Sequence, residues 1–104
     1  MLKTERVGEN YWRSTIEGTD RLNVTIAATI KEQLSEQLVN CGYNLVLDLN
    51  NIRFIDSTGI GVLISALKAA RENSGNFQLA NVNKEVYSLL SLMKLDKVFD
   101  FSNK

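Results

Sequence analysis

The strongest constraint on this chain comes from two adjacent segments near its middle. Leu45-Val46-Leu47-Asp48-Leu49 is a short, mostly apolar run bounded by Asn, and Ile60 to Glu72 is apolar over most of a helical circumference. A strand with so little polar alternation suits a position covered on both faces. A helix with so wide an apolar surface suits the most buried place against that strand. Together they predict an α/β architecture with a mostly parallel sheet.

The flanking sequence fits this frame. Leu2 to Val7 and Tyr11 to Glu17 are separated by Gly8-Glu9-Asn10, and the second run alternates Tyr11, Arg13 and Thr15 with Trp12, Ser14 and Ile16. That is the pattern of a half-buried hairpin. Gly18-Thr19-Asp20 turns the chain. From Val24 to about Asn40, Ile26, Ile30, Leu34 and Leu38 recur at every fourth residue with Ala27 beside them, an amphipathic helix with Asn23 or Thr25 as N-cap and Gly42 as a stop. Asn50 to Ile55 reads as a loop. Beyond the central helix, Asn73-Ser74-Gly75-Asn76 closes it, and Phe77 to Ala80 reads as a strand. Lys84 to Met93 carries Val86, Leu89, Leu90 and Met93 at helical spacing, and Val98 to Phe101 forms a last short strand. The predicted order is β-β-α-β-α-β-α-β, a mixed, mostly parallel sheet with helices packed against it. No repeat or linker divides the chain, so residues 1–104 read as one domain.

Composition removes most enzyme chemistry. There is no His and one Cys, Cys41, so neither a Ser-His-Asp nor a Cys-His triad can be built, nor a His-ligated metal site or Cys cluster. Cys41 reads as a small buried hydrophobe suited to a reducing cytoplasm. Lys plus Arg equal Asp plus Glu at 12 each, divided 5 to 7 over residues 1–52 and 7 to 5 over 53–104. No basic field exists to hold nucleic acid. The N-terminus lacks a signal-peptide apolar core, and the apolar run around Ile60 to Leu67 falls far short of the roughly 18–20 residues that span a bilayer. A soluble, cytoplasmic chain without membrane insertion is expected. The scattered aromatics, including Trp12, Tyr43, Tyr87, Phe99 and Phe101, suit packing better than a stacking platform. Lys68 and Arg71 complement the dipole at the far end of the central helix.

One segment asks for more than packing. Asp56-Ser57-Thr58-Gly59-Ile60-Gly61 stands at the start of the buried helix, where unpaired N–H groups and the helix dipole favour an anion. Asp, Ser and Thr are good N-caps, worth about 1 kcal/mol each when correctly placed. Capping does not require two glycines, each of which costs about 1 kcal/mol against Ala inside a helix. They point to a bare backbone that something must approach closely, and to a hydroxyl that could accept a phosphoryl group. A Walker A loop, a dinucleotide fingerprint and a nucleophile elbow are all excluded by residues the segment lacks. An aspartyl-phosphate receiver using Asp48 and Asp56 would need an acidic pair where Thr4-Glu5-Arg6-Val7 stands.

The strand Leu45 to Leu49, followed by Ile52, Phe54-Ile55 and Asp56-Ser57-Thr58-Gly59-Ile60-Gly61-Val62-Leu63, closely resembles the signature of the STAS domain of bacterial anti-sigma factor antagonists. The likeness extends to Gly18 with Arg21-Leu22-Asn23, to Asn76 through Val82 with Val86 and Leu89-Leu90, and to Leu95-Asp96-Lys97-Val98-Phe99. The resemblance implies that Ser57 is a phosphoacceptor, modified by an anti-sigma factor that is also an ATP-dependent serine kinase. It implies that Asp56 orients or flanks that hydroxyl, and that Asn23, Thr58, Gly59 and Gly61 complete a docking surface. It further implies partner switching: the unphosphorylated chain binds the kinase and frees a sigma factor, the phosphorylated chain lets go, and a PP2C-type serine phosphatase restores it. Neither catalysis nor a cofactor is expected of the chain itself. Two departures stand out. Asn23 replaces the family's usual Asp, keeping a cap but losing a charge, and the sequence ends at Lys104 where many members continue into a final helix.

Two other functions compete with this expectation. STAS-like domains also accompany lipid and anion transporters, so a regulatory subunit of an ABC-type transporter is an alternative in which Ser57 is mainly a docking or capping residue. A nucleotide-binding module is disfavoured because no Lys or Arg adjoins Ser57, Arg53 being the nearest in sequence.

Overall fold

A computed structural model describes residues 1–102 of the chain. Its elements are β1 (Leu2–Gly8), β2 (Tyr11–Ile16), β3 (Arg21–Leu22), α1 (Val24–Asn40), β4 (Asn44–Asp48), β5 (Phe54–Ile55), α2 (Ser57–Glu72), β6 (Asn76–Ala80), α3 (Lys84–Leu92) and β7 (Asp100–Ser102). The main sheet has the order β1-β2-β4-β6-β7. Its first pair is an antiparallel hairpin, and the other pairings are parallel. The mixed, mostly parallel sheet read from the sequence is present.

Register decides what each face carries. Trp12, Leu45 and Phe77 align, as do Ser14, Leu47 and Leu79, and with Ile16 the apolar members of these rows face the helices. They join Ile30, Leu34 and Leu38 of α1, Leu63 and Leu67 of α2, and Val86 and Leu90 of α3 in one hydrophobic core. The opposite face carries Arg13, Val46 and Gln78. β4 is buried on this side too, with Val46 only 1% exposed, but polar side chains from neighbouring strands help to cover it. Arg13 donates from Nε and Nη2 to Oδ2 of Asp48 at 3.0 and 2.8 Å, and Tyr11 donates its hydroxyl to Gln78 Oε1 at 2.6 Å. Asp48 also receives hydrogen bonds from the Asn50 backbone and from Asn81 Nδ2.

Other details differ from the sequence reading. The last strand begins at Asp100 rather than Val98, because the Val98 and Phe99 amides donate to the Leu95 carbonyl and hold a tight turn. The loop after β4 contains β5, and the turn after β2 contains β3; these two-residue strands pair parallel in a sheet of their own. Cys41 is buried at the C-cap of α1, and burial pushes its thiol pKa up. Arg71 in the last turn of α2 donates to the Val98 carbonyl at 2.9 Å, so it ties that helix to the segment before β7. Tyr87 packs at a tilt against Phe101, with ring centroids 5.5 Å apart.

Candidate phosphoacceptor and docking site

The small sheet brings the candidate residues together. β3 runs into α1 and β5 runs into α2, so pairing Arg21 with Phe54 and Leu22 with Ile55 sets two helix starts side by side. Asn23, just beyond β3, is the N-cap of α1 and accepts from the Thr25 amide at 3.1 Å. Asn23, at the position where the resemblance leads one to expect Asp, thus makes the capping bond itself. Asp56, just beyond β5, is the N-cap of α2, and its Oδ1 accepts from the Gly59 amide at 2.9 Å.

Asp56 has a second function that spacing did not announce. Its Oδ2 accepts from the amide of Val24, the first residue of α1, at 3.0 Å, while its own amide donates to the Leu22 carbonyl at 3.3 Å. One carboxylate thus caps two helices. Its pKa is held below the ordinary carboxylate value, chiefly by the Gly59 amide, with the Val24, Thr58 and Asp56 amides adding to the effect and partial desolvation opposing it.

Ser57 and Thr58 open α2, and both are exposed. Neither hydroxyl makes a hydrogen bond with another described residue. Asp56 spends its oxygens on backbone amides and does not bind the Ser57 hydroxyl, as the resemblance allowed it to do. The Ser57 hydroxyl is therefore exposed and without a partner among the described residues.

The two glycines have different reasons. A Cβ on Gly59 would lie 2.1 Å from the Leu22 carbonyl oxygen and 2.8 Å from Ile55 Cγ1. Gly59 is buried, and the close approach that demands it comes from β3 within the chain. A Cβ on Gly61 would meet nothing within 4 Å. Gly61 lies open in a shallow groove between α1 and α2, with Val24, Ala28, Lys31, Thr58 and Ser65 among its walls.

The junction of the two helix starts exposes apolar residues that the sequence did not assign to it. Val24 is 69% exposed and Phe54 is 51% exposed, with the Arg21 guanidinium 5.6 Å from the Phe54 ring centroid. Val24 lies outside the Ala27, Ile30, Leu34 and Leu38 stripe, a signal that a helical wheel carries. Phe54 sat in a segment without periodicity and carried no comparable signal. The receiver arrangement is not formed: Asp48 is engaged by Arg13, and among the described residues no cluster of three or more His, Cys, Asp or Glu could hold a metal ion.

The sequence matches the STAS domain over residues 15–104. The chain belongs to the STAS domain family. A Thermotoga maritima protein provisionally named an anti-sigma factor antagonist is 35% identical over 78 residues, spanning 74% of this chain and 69% of that one. The anti-sigma-B factor antagonist of Listeria monocytogenes is 27% identical over 93 residues, with 82% of each chain covered. A crystal structure of an anti-sigma factor antagonist from Thermotoga maritima, also provisionally named, superposes with a TM-score of 0.83 at 25% identity, covering 99% of this STAS chain and 86% of that one. The strand and helix order of this chain is that of the STAS fold. No helix among the described residues is long and apolar enough to cross a membrane.

Proposed function

We propose that residues 1–104 act as one STAS domain and that the chain is a phosphorylatable anti-sigma factor antagonist of the cytoplasm. In its unphosphorylated form it binds an anti-sigma factor serine kinase and releases a sigma factor. The observation that carries this reading is the free, exposed hydroxyl of Ser57 at the first position of α2, at a junction that also exposes two apolar side chains, Val24 at the start of α1 and Phe54 in β5.

In the proposed transfer, the Ser57 oxygen attacks the γ-phosphorus of ATP held by the kinase. The bond to ADP breaks, and the serine proton passes to a base of the kinase. The chain contributes only the acceptor; ATP and catalytic groups belong to the partner, so the chain is not itself an enzyme. Phosphate adds about −1.5 to −2 charge. At the start of α2 that charge meets the positive end of the helix dipole, so the fold tolerates it. At a docked, desolvated interface the same charge weakens binding, and each 1.4 kcal/mol lost is about tenfold in affinity. A PP2C-type serine phosphatase would reverse the switch. Asn23, Thr58 and Gly61 supply surface around the acceptor, while Asp56 and Gly59 hold its backbone.

Incubation with ATP and the anti-sigma kinase, read by intact mass, tests the assignment. One phosphate on the wild-type chain and none on Ser57→Ala supports it. An unmodified wild-type chain that instead binds an ABC-transporter ATPase subunit would replace it with the transporter reading.

A further inference from the structure

The double cap made by Asp56 links two helices that the chain brings together from positions 32 residues apart in sequence. Each helix start has donors that cannot be satisfied within its own helix. At α2 the Gly59 amide is satisfied by Oδ1 of Asp56; at α1 the Val24 amide is satisfied by Oδ2 of the same side chain. The short β3–β5 pairing sets the two starts abreast. Asn23 and Val24 lie on one side of this junction, and Ser57 and Thr58 lie on the other.

We propose that Asp56 is a positioning residue: a brace that fixes Asn23 and Val24 relative to Ser57, so that both sides of the junction meet the partner as one surface. The inference rests on the proposed antagonist function and extends it. Asp56 touches neither the phosphoryl donor nor the acceptor hydroxyl. It sets how well the partner docks, not how fast the phosphoryl group moves once docked.

Asp56→Asn separates these possibilities because a carboxamide has one acceptor oxygen. Because Gly59 and Val24 donate to different oxygens of Asp56, in this geometry the Asn side chain turns its NH2 toward one of the two amides and leaves that donor unsatisfied. Val24→Pro cuts the brace from the other side by removing the donor; Pro suits the first helical position, and Asn23, with φ −130° and ψ −176°, already has the extended backbone that a following Pro favours. Val24→Ala, which keeps the donor, controls for the lost side chain.

Amide hydrogen exchange on the free chain and steady-state phosphorylation by the anti-sigma kinase read the result. The brace predicts that Asp56→Asn loses protection at either Val24 or Gly59, and that its KM rises about tenfold with kcat near the wild-type value. Val24→Pro should show the same KM rise relative to Val24→Ala. Should Asp56→Asn fail to fold, the two Val24 variants decide alone. A fall in kcat at constant KM would mean that Asp56 orients the hydroxyl, and a lowered thermal midpoint with both constants unchanged would mean that it only caps; either result overturns the brace. Absence of phosphorylation of the wild-type chain would overturn the functional reading and this inference with it. Protection retained at both amides in Asp56→Asn would overturn the brace alone.

Discussion

Asp48 is the last residue of β4 and Asp56 directly follows β5, yet their surroundings could hardly differ more. Asp48 lies on the sheet face away from the helices, 8% exposed, with Arg13 donating to it at 3.0 and 2.8 Å. Asp56 lies where two helices begin and is held by backbone amides of Gly59 and Val24. The first carboxylate is neutralised by a cation. The second is held by dipoles, and its neighbour in sequence is an exposed hydroxyl. The same side chain serves strength in one region and arrangement in the other. The phosphate proposed for Ser57 would enter the second region, at an exposed helix start, and would leave the first untouched.

The comparison can be broken most severely where the helix junction is tightest. Gly59→Ala places a methyl group 2.1 Å from the Leu22 carbonyl oxygen, backbone against backbone. It should cost about 3 kcal/mol or more, measurable by urea denaturation. Arg13→Ala leaves Asp48 largely buried without its cation and should cost about 2–3 kcal/mol. Kinase affinity of the folded protein should stay unchanged, since Arg13 belongs to the sheet face.

Gly61→Ala sharpens the contrast between the two glycines. Nothing lies within 4 Å of the added carbon, so relief of the helix penalty should raise stability by about 0.5–1 kcal/mol, again by denaturation. Titration of the kinase with this variant should show weaker binding if the groove is part of the docking surface.

The smallest effect is one of pH. The folded pKa of Asp56 is lowered from 3.8, first by the Gly59 amide. A depressed carboxylate contributes stability that is fully present above its unfolded value and lost as pH falls through the folded one. Acid denaturation of the wild type should therefore be steeper than that of Asp56→Asn, with the difference confined to pH below about 4.

Much of this was legible in the sequence. Period-four and alternating patterns located β2, α1 and α3, which bury one face each, while β4 and α2 were read from apolar runs that suit burial on most sides. The strands β3 and β5 were not legible, since two residues carry no period. Their effect was hidden with them: Leu22 beside Gly59, and Val24 within reach of Asp56, are consequences of a pairing between distant segments. Gly59 did signal a close approach to bare backbone, but the approaching group is the chain's own carbonyl. Asp56 was readable as a cap for α2. Nothing in the local sequence could reveal that it also caps α1.

The central claim is that one phosphate at Ser57 controls docking without altering the fold. Titrating the anti-sigma kinase with unphosphorylated and Ser57-phosphorylated chain, alongside the thermal midpoint of each, tests it most directly. The account predicts tight binding only by the unphosphorylated form and nearly equal midpoints. Equal affinity for the two forms would contradict it.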